Sequence, residues 1–219
     1  MRQDLTEILV ILDRSGSMSG VKSTTVESLN KFIMEQRAFP GEANISIYQF
    51  DTMFDYIRNS ENIKTTKLLD NDEYQPRGGT ALYDAMCYGI DEMGKKLAST
   101  SENNRASKVM CVVLTDGEEN ASKAFNKFQV QERVDRQSKS YNWQFIYLGA
   151  NQDAIMSAQS LGIAAGNAAN YMSTDIGTQV AFAAAGGATS AYRTAGKSSA
   201  NLMVDNQNLT EDLNDIKKI

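Results

Sequence analysis

The sequence predicts an α/β fold in three layers, with a doubly wound, mostly parallel central sheet and one antiparallel edge strand. Two continuous apolar runs, residues 8–12 and 109–114, are typical of strands that are covered on both faces. Helical patterns alternate with such runs, as they do in right-handed βαβ units. Two strand-like runs, at 44–50 and 53–57, are two residues apart and predict a hairpin, which supplies the antiparallel edge.

The first elements have boundaries that can be located from the sequence. The first strand should cover about residues 6–12, and the first helix about residues 21–38. The apolar stripe of that helix consists of Val26, Leu29 and Ile33. Pro40-Gly41 ends the helix before the hairpin begins. After the hairpin, residues 59–76 are polar and are expected to be irregular.

The helix that follows residue 80 has the clearest periodicity in the chain. Its apolar residues recur every three or four positions, which places them on one stripe: Leu82, Met86, Ile90, Met93 and Leu97. A strand at 109–114, a helix at about 124–140 and a strand at 143–148 follow. The side chains expected to face inward from that helix are Phe125, Phe128 and Val134. Strands one, four and five should be central in the sheet.

The last part of the chain predicts three further elements and a tail. A short helix carries Ala154, Ala158 and Leu161, and a shorter last strand should cover 167–172. The Ala- and Gly-rich residues 178–195 predict a helix packed close to the sheet. A flexible linker is the alternative there, because each glycine in a helix costs about 1 kcal/mol relative to alanine. One domain should therefore span residues 1–200. A tail at 201–219 follows it, with one apolar helical face formed by Leu209, Leu213 and Ile216.

Composition excludes several classes of function. Hydrophobic residues make up 42% and charged residues 22% of the 219 residues, which is ordinary for a globular protein. The net charge is −5 and no basic patch is concentrated, so we expect no nucleic-acid partner. No apolar run is long enough to span a bilayer, so no membrane partner is expected either. The chain has no histidine, which excludes Ser-His-Asp and Cys-His triads and histidine-containing zinc sites.

Three short motifs carry the chemistry. Asp13-Arg14-Ser15-Gly16-Ser17 follows the first apolar strand, Gly78-Gly79-Thr80 opens a helix, and Thr115-Asp116-Gly117 ends the second apolar strand. In open parallel sheets, ligands bind beyond the carboxyl ends of the strands. All the side chains offer oxygen, which suits Mg²⁺ or Mn²⁺. Alone, the first motif is more often a turn or a helix cap.

In this order and on these elements, the three motifs resemble the metal-ion-dependent adhesion site of von Willebrand factor type A domains. The resemblance covers about residues 5–200 in element order, and five ligand positions from three loops are filled. It implies that one Mg²⁺ or Mn²⁺ is held by Asp13, Ser15, Ser17, Thr80 and Asp116. It further implies a non-enzymatic protein-binding module, in which an Asp or Glu of a partner protein completes the coordination of the ion.

Residues beside the motifs are candidates for the rim that would contact the partner. These candidates are Arg14, Met18, Arg77, Glu118 and Asn151. Arg14 and Arg77 have an alternative interpretation as solvated loop residues. Glu118 and Glu119 would either favour the start of the next helix or bind a second ion. Asp153 is expected to cap a helix.

Two other functions stay open at this point. A metal-dependent phosphohydrolase would need a base or nucleophile, and Ser15 stands where the first loop would need a second acid. A self-assembling structural protein, which would be a homo-oligomer, would use the tail at 201–219. We expect a cytoplasmic protein of bacterial or phage type, because Arg2-Gln3-Asp4 leads into the first strand without a secretory signal. Cys87 and Cys111 are then free thiols in a reducing cytosol.

Overall fold

The computed structural model of the chain describes residues 1–150 and 153–195. Within them, five α-helices surround one sheet: α1 (Lys22–Ala38), α2 (Leu82–Ser99), α3 (Lys127–Tyr141), α4 (Ala154–Ser160) and α5 (Asp175–Ala195). The sheet consists of β1 (Arg2–Asp13), β2 (Glu42–Phe50), β3 (Phe54–Asn62), β4 (Ala106–Thr115), β5 (Gln144–Ala150) and β6 (Ala168–Tyr171). Two short 3₁₀ helices, Gly16–Val21 and Ala165–Asn167, complete the described elements.

The sheet has the predicted topology. Its six strands lie in the order β3-β2-β1-β4-β5-β6, and all neighbours are parallel except β2 and β3. The predicted hairpin and antiparallel edge strand are therefore confirmed, as is the interior position of β1, β4 and β5. At the carboxyl end of β1, Leu12 lies opposite Leu114 of β4, and Asp13 lies opposite Phe50 of β2. The loops that follow these three strands consequently meet at one edge.

Alternation along β1 divides the core into two layers. Ile8, Val10 and Leu12 pack in the same cluster as residues of α1 and α5, whereas Leu9 and Ile11 pack with α2, α3 and α4. Because both faces are covered, the strand is continuously apolar. Burying one such side chain is worth about 1.5–3 kcal/mol, so this core is the main source of stability. No helix within the described residues is long and apolar enough to cross a membrane.

The prediction for the inward face of α3 was partly wrong. Phe128 is 74% exposed, whereas Val130 and Val134 are fully buried. The helix begins at Lys127 rather than at 124, and Asn126 and Gln129 form a reciprocal capping box at its start. Val130 and Val134 are four positions apart and share one face, so Phe128 is turned away from it. Phe125 precedes the helix and packs in part against the core.

The Ala- and Gly-rich segment is helical, which confirms the helix prediction and makes the linker alternative wrong for residues 175–195. This helix, α5, packs alongside α1 and also contacts β4 and β6. Gln36 of α1 donates from Nε2 to the carbonyl oxygen of Gly186 at 3.0 Å, which requires a close approach of the two helices. The tail predicted at 201–219, and with it the domain boundary at residue 200, lies outside the described residues.

Candidate metal centre

Asp13 is the last residue of β1, and its carboxylate is fully buried. One oxygen, Oδ1, accepts a hydrogen bond from the backbone N–H of Ser15 at 2.6 Å. The other, Oδ2, accepts from the hydroxyl of Thr115 at 2.6 Å. The hydroxyl of Tyr74 donates to the Asp13 carbonyl oxygen at 2.5 Å. The orientation of this acid is therefore determined by its own loop, by the end of β4 and by a buried tyrosine.

The two serines of the first loop point toward the acid that follows β4. Ser15 Oγ and Ser17 Oγ are 3.0 Å apart, and Ser17 Oγ donates to Asp116 Oδ1 at 2.5 Å. The oxygens come from loops that are 99 residues apart in sequence. Parallel pairing of β1 with β4 explains this meeting, because the carboxyl ends of the two strands lie side by side.

Thr80 approaches the same place from the second loop. A Cβ atom built on Gly117 would lie 3.1 Å from Thr80 Oγ1 and 3.8 Å from Ser17 Oγ. The space that Gly117 leaves open is thus bordered by hydroxyls from two loops. Thr80 is held there by its main chain, since its N–H donates to Asn120 Oδ1 at 2.9 Å and its carbonyl accepts from Asn120 N at 3.0 Å.

The electrostatics of the site favour a bound cation. Burial raises the pKa of Asp13 to about 6, and the hydrogen bonds from Thr115 and Ser15 offset part of that increase. The neighbouring Asp116 carboxylate raises the same pKa further. A divalent ion would offset both the burial of Asp13 and the repulsion between the two acids. Two carboxylates and three hydroxyls, with no nitrogen or sulfur donor, fit Mg²⁺ or Mn²⁺.

Two of the predicted rim residues are buried instead. Met18 is 0% exposed and packs in the core layer of α1 and α5, because the 3₁₀ helix after Ser15 turns its side chain inward. Arg14 is also buried and forms ion pairs with Asp51 at 3.1 Å and Asp55 at 2.6 Å. The prediction that Met18 contacts a partner is therefore wrong. For Arg14, both the rim prediction and its solvated alternative are wrong.

The other three rim candidates have different outcomes. The side chain of Arg77 is 60% exposed and that of Glu118 is also exposed, so both are accessible beside the loops. Their contact with a partner stays a prediction. Asn151 lies outside the described residues. Asp153 caps α4 as predicted, by accepting from Met156 N at 3.0 Å.

Glu119 anchors the loop after β4 to α2. Its carboxylate accepts from Tyr83 N in the first turn of α2 at 2.9 Å and from the N–H of Ala121 and Ser122. The prediction that Glu118 and Glu119 favour the start of the next helix is therefore wrong, because α3 begins at Lys127 and Glu119 bonds to the start of α2 instead. Asp84 adds to this anchoring by accepting from the N–H groups of Lys123, Ala124 and Phe125.

Sequence reasoning missed several residues that support the site. They are Asp51, Tyr74, Asn120 and Ser173. Ser173, in the connection between β6 and α5, donates to Asp116 Oδ2 at 3.1 Å. Asp51 had a recognisable signal, since it directly follows the carboxyl end of β2. Tyr74, Asn120 and Ser173 do not directly follow a strand, so the sequence pattern did not mark them as candidates.

Comparison with known proteins agrees with this geometry. The sequence-family model of the von Willebrand factor type A domain matches residues 7–184. The chain belongs to the von Willebrand factor type A domain family. No curated protein matches the chain by sequence.

Solved structures share the type A fold at low sequence identity. The mussel byssus proximal thread matrix protein 1, described with a zinc-occupied metal-ion-dependent adhesion site motif, has a TM-score of 0.58 and 12% identity. The match covers 82% of this chain and 46% of that one. The manganese-loaded TRAP protein of Plasmodium vivax has a TM-score of 0.53 and 14% identity, over 82% and 73% of the two chains.

A third match is the pilus adhesin SpaC of Lactobacillus rhamnosus GG, with a TM-score of 0.60 and 11% identity. It covers 83% of this chain and 29% of that chain. At these identities the three structures establish the fold. The chain spans less than half the length of the mussel protein and less than a third of the adhesin.

Proposed function

We propose that this type A domain is a Mg²⁺- or Mn²⁺-dependent protein-binding module without catalytic activity. The observation that carries the proposal is the meeting of Ser15, Ser17 and Asp116 within hydrogen-bond distance, beside the space that Gly117 leaves open next to Thr80. In this proposal, Asp13 joins these residues in an intact metal-ion-dependent adhesion site.

The five residues would bind the ion through two kinds of oxygen. Asp13 and Asp116 balance its two positive charges, and the hydroxyls of Ser15, Ser17 and Thr80 add neutral oxygen. When bound, the ion supplies an electrophilic centre that accepts a carboxylate oxygen from outside the domain. The partner is therefore a protein that presents an Asp or Glu side chain. The exposed side chains of Arg77 and Glu118 would flank that contact.

The choice of metal follows from the ligands. Zinc sites in proteins usually contain cysteine or histidine. The chain has no histidine, and its two cysteines are buried in the core layer of α2, α3 and α4. Oxygen-only coordination suits Mg²⁺ and Mn²⁺ at cellular concentrations, although zinc would compete at equal concentration because of its intrinsically higher affinity.

Calorimetric titration of metal-free protein with Mn²⁺ tests the metal site. One binding event is expected for the wild type, and none for Asp13→Ala or Asp116→Ala. Capture of a partner on immobilised protein in Mg²⁺, followed by elution with EDTA, tests the function. Full Mn²⁺ binding by both alanine variants, or capture that EDTA leaves unchanged, contradicts the proposal.

A further inference from the structure

Asp51 lies outside the five expected ligands but connects the loops that carry them. It follows β2 directly, and its side chain is only 1% exposed. Its Oδ2 atom accepts from Arg14 Nε at 3.1 Å and from Arg77 Nε at 2.8 Å. Arg14 stands between Asp13 and Ser15, and Arg77 stands three residues before Thr80. One buried oxygen therefore bridges the first loop and the second.

The remaining polar atoms of Asp51 are engaged as well. Oδ1 accepts from the N–H of Met53 at 2.5 Å, and the Asp51 carbonyl oxygen accepts from the N–H of Ala81 at 3.0 Å. The second of these bonds is adjacent to Thr80 in sequence. A charge-assisted hydrogen bond is roughly twice as strong as a neutral one, and burial strengthens it further. The carboxylate is thus held rigidly by three N–H donors from two loops and its own turn.

The main chains of the two loops are also joined directly. Arg77 N donates to the carbonyl oxygen of Arg14 at 2.8 Å, and Gly16 N donates to that of Gly78 at 3.1 Å. These two bonds join main-chain atoms only, so they leave the positions of the Arg14 and Arg77 side chains undetermined. The Asp51 bridge fixes the side chains on either side of them. Asp51 therefore links the loop that carries Ser15 and Ser17 to the loop that carries Thr80.

We propose that Asp51 is a positioning residue, which holds the first and second loops at the separation that one divalent ion requires. The proposal rests on the proposed function of the site, because it concerns how the same ion is bound. Residues that orient metal ligands typically change metal affinity by about 10- to 100-fold when they are substituted. The effect of losing Asp51 should lie in that range, since it supports two loops at once.

The test uses Asp51→Asn, which keeps the size of the side chain and removes its charge. Asp91→Asn is the matched control: Asp91 of α2 forms an ion pair with Arg133 of α3 at 2.9 Å, away from the loops. Mn²⁺ titration should show affinity at least about tenfold weaker for Asp51→Asn and within about twofold of wild type for Asp91→Asn. Equal affinity of Asp51→Asn and wild type overturns the proposal.

A second measurement needs no metal. In EDTA, amide hydrogen exchange should become faster at Gly16 and Arg77 in Asp51→Asn, while amides of β1 and β4 keep their protection. Unchanged protection of Gly16 and Arg77 overturns the proposal. If wild-type protein binds no Mn²⁺, the proposed function fails, and hydrogen exchange still decides whether Asp51 joins the loops.

Arg77→Gln covers the case in which Asp51→Asn does not fold. Its side chain is mostly exposed, so the variant should fold normally, and it removes one of the two arginine contacts to Asp51. Mn²⁺ affinity should fall in the same direction as in Asp51→Asn, but by less, since Arg14 keeps its contact. Wild-type affinity and wild-type protection of Gly16 in this variant count against the bridge.

Discussion

Residues 8–12 of β1 are buried and aliphatic, whereas Asp13, Thr115 and Asp51, at the carboxyl ends of three neighbouring strands, are equally buried but polar. Aliphatic contacts are non-directional, and their strength follows the area that they bury. The polar groups above need specific partners, because an unpaired buried group costs free energy. Each of them has such partners in the structure. The apolar core therefore provides most of the stability, and the hydrogen bonds at the carboxyl ends of the strands fix the positions of the polar side chains.

This difference suggests that the two regions can be altered separately. A lost methyl group in the core leaves a cavity and lowers stability, but it leaves the directions of the loop hydrogen bonds intact. A lost hydroxyl or carboxylate at the edge changes the metal site while most of the buried apolar area remains. The four predictions below test this separation, in order of decreasing effect on stability.

Ile90→Ala should have the largest effect. Ile90 is fully buried between α2 and the sheet, and truncating such a residue costs about 2–5 kcal/mol of unfolding free energy. Urea denaturation measures this loss, and Met34→Ala, with a half-exposed side chain on α1, is the control with a smaller loss. Mn²⁺ affinity of fully folded Ile90→Ala should equal that of wild type. A tenfold weaker affinity would show that the two regions are coupled.

Metal binding should raise stability by a smaller, calculable amount. At a Mn²⁺ concentration one hundred times Kd, mass action adds about 2.7 kcal/mol to the free energy of unfolding. EDTA should remove this increment without unfolding the protein, because the core folds without the ion. In Asp116→Ala, urea denaturation with and without Mn²⁺ should give the same midpoint. Unfolding of the wild type by EDTA at room temperature would mean that the ion is structural.

The elements whose patterns reflect burial could be predicted from the sequence. The apolar runs in β1 and β4 and the stripe of α2 show which side chains are buried. Strands that are buried on both faces require helices on both sides of the sheet, which gives the three-layer architecture. Convergence of the three motifs followed from topology, since parallel strands bring their carboxyl ends to one edge. Boundaries were less accurate: β1 begins at Arg2, because Arg2 pairs with Ala106 of β4 ahead of a register shift and Leu5 pairs with Glu42 of β2.

The orientation of single loop residues could not be predicted. Arg14 lies beside the ligands in sequence, yet its direction depends on Asp51, which is 37 residues away. Met18 turns into the core because a 3₁₀ helix follows Ser15, and that turn has no apolar periodicity. Ser173 reaches Asp116 because β4 and β6 lie on either side of β5, and the residues that follow these parallel strands meet at one edge of the sheet. These positions depend on tertiary contacts rather than on local pattern.

Thr80→Ala should affect binding more than stability. The main-chain bonds between Thr80 and Asn120 do not involve the hydroxyl, so the unfolding free energy should fall by about 1 kcal/mol or less. Mn²⁺ affinity should fall at least about tenfold, which corresponds to about 1.4 kcal/mol. Urea denaturation followed by circular dichroism measures the unfolding free energy, and Mn²⁺ titration measures the affinity. Thr80→Ser is the control that keeps the hydroxyl. Unchanged affinity in the alanine variant would remove Thr80 from the site.

Phe128→Ala should have the smallest effect, and it tests where the core ends. The ring is mostly exposed on α3, and Lys127 Nζ lies 5.9 Å from the ring centre. A surface substitution of this kind changes stability by about 0.5 kcal/mol or less. Val134→Ala on the buried face of the same helix is the control, and it should cost more although it removes fewer atoms. If urea denaturation shows a larger loss for Phe128→Ala than for Val134→Ala, the ring is covered in solution and the apolar core extends beyond α3.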